Sequence, residues 1–221
     1  MLNRRTVLIT SPLALTLPAW ALGESEAASG IRAALERGAQ AAVAQLGRRD
    51  GFLGDDRVRI ELPDSLKGAV RLLKATGQGH KLDELLTAMN RAAEAAVPEA
   101  RLLLVNAARN MSVEDALKIV KGGDDSVTQF FAGKTRAPLT ERFLPIVTRA
   151  TEKQSLADKY NAVAGKAAGL GLVRQDDANI QHYVTRRALD GLFFMIGEEE
   201  KQIRRDPVGT GSALLKKVFG G

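Results

Sequence analysis

The sequence contains no cysteine and only two histidines, His80 and His182. Without cysteine the chain has no disulfide framework, no thiol nucleophile and no thiolate metal site. Neither histidine belongs to an HExxH motif or a Glu-x-x-His pair, and no serine elbow of the GxSxG type is present. These absences argue against the common hydrolase, zinc-protease and di-iron bundle chemistries. We expect His182 to be a surface or hydrogen-bonded residue.

The charge pattern argues against a nucleic-acid-binding protein, although the chain is basic. There are 32 lysines and arginines against 26 acidic residues, which gives a formal net charge of +6. Arg4 and Arg5 lie in a segment that we expect to be removed, and the remaining charges alternate in sign along the chain. A nucleic-acid interface needs a concentrated basic face rather than a high isoelectric point.

Residues 1–21 have the pattern of an export signal. Arg4 and Arg5 form a short positive region, residues 7–18 are mostly apolar, and Ala19-Trp20-Ala21 has the small-x-small pattern of a signal-peptidase site. NRRTVL also resembles a twin-arginine signal, so Sec export and twin-arginine export both remain open. We expect a periplasmic protein without a lipid anchor, because there is no cysteine to carry one, and without a transmembrane span in its mature chain.

The longest helical pattern covers residues 176–206. Its apolar side chains recur at three- and four-residue steps, which places them on one face of a helix. They are Ile180, Tyr183, Val184, Ala188, Leu192, Met195, Ile196 and Ile203. Leu189, Phe193 and Phe194 widen this face, so we expect the helix to be enclosed on several sides at the centre of a bundle.

Polar residues mark the start and the flank of the same helix. Residues 176–179 include two aspartates and an asparagine that can cap its first turn. Arg186 with Asp190, and Glu200 with Arg204, are oppositely charged pairs at i,i+4. Such pairs suit an exposed flank.

The rest of the sequence predicts further helices separated by glycine and proline. We expect a flexible leader over residues 22–29, followed by a helix from about Gly30. Pro138 and Pro145 are expected to break, kink or restart later helices. Residues 58–62 alternate apolar and charged side chains, which indicates one extended segment without a visible partner strand.

These patterns predict an all-α fold. We expect a single-domain helical bundle over residues 30–221, with about eight to ten helices, several of them kinked or broken at proline or glycine, and with little or no sheet. The chain is expected to end in a short amphipathic helix over residues 213–219.

Asn90, Arg91 and Glu94 lie within one turn of each other and form the first candidate binding site. Asn90 directly follows the apolar Met89, so its amide is expected to be partly buried. One interpretation is a polar patch for an anionic or amide-bearing ligand, with Arg91 as the charged donor. The other, which we favour, is a buried network that fixes how the helices dock.

Asp124 and Asp125 form the second candidate site, since their carboxylates can bind a hard cation. The loop lacks the spaced acids and the distal glutamate of an EF-hand. We favour helix capping by these residues and by Ser126. Glu198, Glu199 and Glu200 point about 100° apart on a helix and are expected to form a solvated face.

Seven phrases of the sequence together resemble one protein family. They are GFL at residues 51–53, MNRAAEAAVPEA at 89–100, GGDDSVTQFF at 122–131, FLPIV at 143–147, DANIQHYVTRRALDGLF at 177–193, EEEKQIRRDP at 198–207 and GSALLKKVF at 211–219. In combination they are similar to the bacterial domain-of-unknown-function 4197 family, over nearly all of the mature chain. The resemblance implies an exported helical protein and supplies no activity or catalytic residues.

Three functions follow as hypotheses. The leading one is a non-catalytic periplasmic binding or accessory protein of the cell envelope, with no cofactor. It would offer a groove to an apolar or amphipathic small ligand, or a surface to an envelope protein. The alternatives are a metal-dependent or hydrolytic enzyme that uses Asp124, Asp125 and distant carboxylates, and a basic nucleic-acid-binding protein.

Overall fold

A computed structural model describes residues 19–77, 79–152, 157–171, 174 and 177–206. All regular secondary structure in these ranges is helical, and none of them contains a strand. The α-helices are α1 (Ala19–Gly47), α2 (Lys67–Ala75), α3 (Gly79–Ala96), α4 (Ala100–Arg109), α5 (Val113–Lys121), α6 (Ser126–Thr151), α7 (Ala157–Gly169) and α8 (Ile180–Arg205). The predicted all-α fold is therefore confirmed.

The predicted number of about eight to ten helices is not supported. Within the described ranges six helices have ten or more residues, while α2 and α5 are nine-residue segments. Most of the predicted export signal and the predicted helix over residues 213–219 lie outside the described residues. No described helix combines the length and the apolar character that crossing a membrane requires.

Helix α8 is the central element, as its sequence pattern predicted. Its predicted apolar face is buried, and it packs against α1, α3 and α6. The Asn179 side chain caps its start by accepting hydrogen bonds from the backbone N–H groups of Gln181 and His182. Phe194, which we expected to widen the buried face, is instead 41% exposed.

Helix α1 begins earlier than predicted. It starts at Ala19, so residues 22–29 are helical where we expected a flexible leader before a helix from about Gly30. Ala28 and Ile31 are both buried in the core. Their burial explains the longer helix, because most helical stability in proteins comes from the packing of an apolar face.

Helix α6 runs without a break through Pro138 and Pro145, which corrects the predicted breaks. Leu139, Phe143 and Val147, at four-residue intervals, are fully buried and hold the helix against the core. Each proline leaves one carbonyl group, four residues earlier, without its helical donor. Those carbonyl groups belong to exposed residues, so water can satisfy them.

The segment of residues 48–63 between α1 and the short 3₁₀ turn before α2 has no regular hydrogen-bond ladder, yet three of its apolar side chains are buried. Phe52, Val58 and Ile60 are at most 4% exposed. Phe52 packs against α8 at Gly191, where a Cβ atom would lie only 2.7 Å from its ring. A glycine at this position therefore lets the segment approach the central helix closely.

Candidate functional site

Asn90 lies in the core and binds the backbone of the 48–63 segment. Its Oδ1 accepts a hydrogen bond from the N–H of Ile60 at 2.8 Å, and its Nδ2 donates to the carbonyl oxygen of Ile60 at 3.0 Å. Nδ2 also donates to the carbonyl oxygen of Leu86 at 2.8 Å. The amide thus pairs both backbone polar groups of the buried Ile60, as a neighbouring strand would do in a sheet.

Glu94 and Arg91 continue this network. Glu94 Oε1 accepts hydrogen bonds from the backbone N–H groups of Phe52 and Leu53, at 3.1 and 3.2 Å. Its Oε2 accepts from Arg91 at 2.6 Å, and Arg91 also donates to Asp50 at 2.7 Å. The structure therefore brings Asn90, Arg91 and Glu94 together around the 48–63 segment, and their polar groups bond within the protein.

Asp124 and Asp125 lie elsewhere, in an exposed turn before α6. Asp125 occupies the N-cap position, but its side chain makes no capping hydrogen bond and instead accepts from Gln129 at 2.7 Å. The prediction that these acids cap α6 with their side chains is wrong for Asp125. Among the described residues no group of three or more histidine, aspartate and glutamate side chains is arranged to hold a metal ion.

Glu200 on α8 provides the hydrogen bonds that we expected from those acids. Its Oε2 accepts from the N–H of Val127 in the first turn of α6 at 3.2 Å, and its Oε1 accepts from the Ser126 hydroxyl at 3.2 Å. Arg204 donates to Oε1 at 2.7 Å and also to the carbonyl oxygen of Ile119 at the end of α5. One ion pair thus joins α5, α6 and α8.

The expected solvated position of Glu200 is therefore wrong. Its side chain lies in the core and the residue is 2% exposed. Burial raises the pKa of the Glu200 carboxyl above its usual value, while the hydrogen bonds from Arg204 and Ser126 act in the opposite direction.

A cleft of about 310 Å³ opens between α6 and α8. Helix α6 lines it with residues at four-residue intervals, and α8 does so with residues that share one face. The lining residues from α6 are Arg136, Thr140 and Leu144. Those from α8 are His182, Thr185, Arg186 and Leu189, and Arg174 lines the cleft from the chain before α8.

Asp190 fixes the two helices on either side of this cleft. Its Oδ1 accepts a hydrogen bond from Arg136 on α6 at 2.9 Å, and its Oδ2 accepts from Arg186 on α8 at 3.1 Å. Arg186 also donates through Nε and Nη2 to Asp177 Oδ1, at 3.0 and 2.8 Å. The predicted Arg186–Asp190 pair is confirmed, and it helps to hold the guanidinium groups beside the cleft.

Thr185 and Leu189 are the two most buried residues of the lining, each 1% exposed. The Thr185 hydroxyl is buried and has no hydrogen-bond partner among the described residues. Buried hydroxyl groups in folded proteins usually have a partner, so this one calls for an explanation. His182 is exposed at the rim, in agreement with the surface position that we expected.

The sequence reasoning missed this cleft. The i,i+4 spacing of Arg136, Thr140 and Leu144 is visible in the sequence. That spacing is common on helices, however, and nothing in it shows which face of α8 lies opposite. Only the packing of α6 on α8 brings the two sets of side chains together.

Comparison with known proteins shows the family of the chain. The model of the family described as "Protein of unknown function (DUF4197)" matches residues 21–220. No curated protein and no solved structure matches the chain.

Proposed function

The chain belongs to the DUF4197 family, as the phrases of its sequence indicated, and we propose that it is a non-catalytic binding protein of the bacterial cell envelope. It holds a small amphipathic ligand in the cleft between α6 and α8. The observation that carries this proposal is the combination of arginine and hydroxyl groups with Leu144 and Leu189 in that one cleft. A concave site with an apolar lining and a few convergent polar groups is typical of ligand-binding sites.

The dimensions and the rigidity of the cleft support binding. Its volume of about 310 Å³ is at the lower end of the range of ligand sites, about 300–1,000 Å³, which suits a small molecule. Asp190 ties Arg136 to Arg186 across the two long helices. A site held in this way loses little conformational entropy when a ligand enters.

The chemistry of the lining supports a binding role rather than catalysis. Most of its polar groups are guanidinium and hydroxyl groups, which keep their protons at neutral pH. Such groups orient a ligand through hydrogen bonds without exchanging protons with it. The candidate residues Asn90, Arg91 and Glu94 then have the different role of holding the 48–63 segment on α3.

The sequence at the start of the chain supports a periplasmic location. Arg4 and Arg5 precede an apolar stretch and a small-x-small site that ends at Ala21. The family match begins at residue 21, close to the expected start of the mature protein. Fractionation of cells that produce the full chain tests this part of the proposal, and a cytoplasmic, unprocessed chain would contradict it.

Native mass spectrometry tests the binding role. Protein recovered from a periplasmic fraction is expected to carry a bound small molecule at a stoichiometric level. Leu144→Trp places a large ring in the cleft and should abolish the bound mass. Leu102→Trp is the matched control, because Leu102 lies on α4, is 68% exposed and does not line the cleft.

Two outcomes would contradict the proposal. The first is an empty wild-type protein, since the cleft would then have no resident ligand in the cell. The second is a bound molecule that remains in the Leu144→Trp protein, which would place the binding site elsewhere. Circular dichroism of both tryptophan variants checks that each one is folded.

A further inference from the structure

We infer that Thr185 is the recognition residue of the α6–α8 cleft. Its hydroxyl donates a hydrogen bond to an acceptor oxygen of a small organic ligand, and the hydrocarbon part of that ligand lies against Leu144 and Leu189. This inference rests on the proposed binding function and specifies the ligand class of the same site. It follows from the unusual hydrogen-bond state of Thr185 and from the donors and apolar side chains around the cleft.

Thr185 differs from the threonines of α6 in its hydrogen bonding. Four threonines of α6 donate to the carbonyl oxygen four residues earlier in the helix, at 2.7 to 2.9 Å; they are Thr135, Thr140, Thr148 and Thr151. Such a bond is a common way for threonine to satisfy its hydroxyl inside a helix. Thr185 lies within α8 and is 1% exposed, yet its hydroxyl has no hydrogen-bond partner among the described residues. Its own helix therefore leaves a buried donor unused.

A ligand oxygen in the cleft supplies the partner that this donor lacks. A buried hydroxyl without a partner destabilises a folded protein, because it has lost its hydrogen bonds to water. The hydroxyl oxygen of Thr185 is enclosed, while the residue lines the cleft. Threonine has two favourable side-chain rotamers in a helix, so rotation about its Cα–Cβ bond can turn the hydroxyl to a bound oxygen. Ligand binding then removes the cost of the unpaired donor.

The rest of the lining favours an acceptor on the ligand over a donor. The lining contains arginine side chains, which have no acceptor atom, and no acidic or amide side chain. Arg136 donates through Nη1 to Asp190 at 2.9 Å, and its Nε and Nη2 donate to no described residue. A ligand oxygen therefore meets donors from α6 and from α8, whereas a ligand that offers only donors meets few acceptors.

Leu144 and Leu189 determine the rest of the ligand. Leu144 on α6 is half-buried, Leu189 on α8 is 1% exposed, and both line the cleft. A hydrocarbon group that covers them removes apolar surface from water, which favours binding. Leu189 follows Thr185 by four residues, roughly 6 Å along the same face of α8. One small molecule can thus contact both, with an acceptor oxygen beside a short apolar chain.

Two uncharged probes test this ligand class on the purified, ligand-free protein. Pentan-2-one and 2-methylpent-1-ene have the same shape, but the alkene carries a CH₂ group in place of the acceptor oxygen. NMR titrations of backbone amide signals give the dissociation constant of each probe. The ratio of the alkene constant to the ketone constant should fall roughly fivefold from the wild type to Thr185→Val, since one neutral hydrogen bond is lost. An unchanged ratio would overturn the inference.

Thr135→Val is the matched control, because Thr135 is a buried threonine that does not line the cleft and donates to the carbonyl oxygen of Phe131. Its ratio of the two constants should equal that of the wild type. Thr185→Val should raise the melting temperature of the free protein by about 2–4 °C, because it removes an unpaired buried hydroxyl, and Thr135→Val should not. A melting temperature of Thr185→Val at or below that of Thr135→Val would show that the hydroxyl has a structural partner, and the inference would fail.

The failure of this inference is distinguishable from the failure of the proposed function. If the molecule recovered from the periplasmic protein is lost in Leu144→Trp but is fully retained in Thr185→Val, the cleft binds a ligand and the assigned recognition residue is wrong. If neither the recovered molecule nor pentan-2-one depends on Leu144, the binding function itself is wrong.

Discussion

The Asn90 amide holds both backbone polar groups of Ile60, and replacing it by alanine tests how the 48–63 segment is fixed. Ile60 is fully buried, and in the described structure its N–H and C=O groups bond to Asn90. Each buried group left without a partner costs about 1–3 kcal/mol. The higher helix propensity of alanine offsets roughly a few tenths of a kcal/mol of this loss. We therefore expect Asn90→Ala to lower the free energy of unfolding by about 3 kcal/mol.

Urea unfolding followed by circular dichroism measures this change. With a slope of about 2 kcal/mol/M, a loss of about 3 kcal/mol lowers the midpoint by about 1.5 M urea. Asn106→Ala is the matched control, because Asn106 is an exposed asparagine within α4. Its free energy of unfolding should stay within about 0.5 kcal/mol of the wild-type value.

Equal midpoints for Asn90→Ala and Asn106→Ala would refute the reasoning. They would show that water replaces the amide at Ile60 without cost, and that the 48–63 segment is held by its apolar side chains alone. A reduced slope for Asn90→Ala would instead show that the segment had already left the core in the native state.

Gly191 and Glu200 provide two further tests. A Cβ atom at Gly191 would lie 2.7 Å from the buried ring of Phe52, so Gly191→Ala should cost about 1–3 kcal/mol in thermal unfolding. Gly165→Ala on α7, where no atom lies within 4 Å of the new Cβ, should raise the free energy of unfolding by about 1 kcal/mol. Equal changes in the two alanine variants would contradict the close packing of Phe52 on Gly191. Burial raises the pKa of Glu200 above its ordinary value of 4.5, so its contribution to stability is present below that value and is lost as the pH rises through the raised one. The wild type should therefore lose stability relative to Glu200→Gln as the pH rises above 4.5, and urea unfolding that shows the opposite slope would refute the assignment.

The sequence predicted those features that depend on residues close together in the chain. The apolar face of α8, its cap at Asn179 and the pairs Arg186–Asp190 and Glu200–Arg204 all follow from spacings of four residues or fewer, or from helical periodicity. The all-helical fold follows from the same kind of pattern repeated along the chain.

The features that the sequence did not predict depend on pairs far apart in the chain. Asn90 acts on Ile60, 30 positions away, and Glu200 acts on Ser126, 74 positions away. Local periodicity cannot show whether a glutamate on the flank of a helix faces water or the first turn of another helix. The cleft between α6 and α8 was missed for the same reason, since it exists only where these two helices meet.

The separation of α1 from α8 along the chain has a consequence during protein synthesis. Roughly 160 residues separate the end of α1 from the end of α8, and ribosomes add about 5–20 residues per second. The apolar face of α1 therefore stays without its central partner for roughly 8–30 s. Throughout that interval the nascent chain lacks a closed core. The order of the helices thus leaves the buried face of α1 without its main packing partner until α8 has been made.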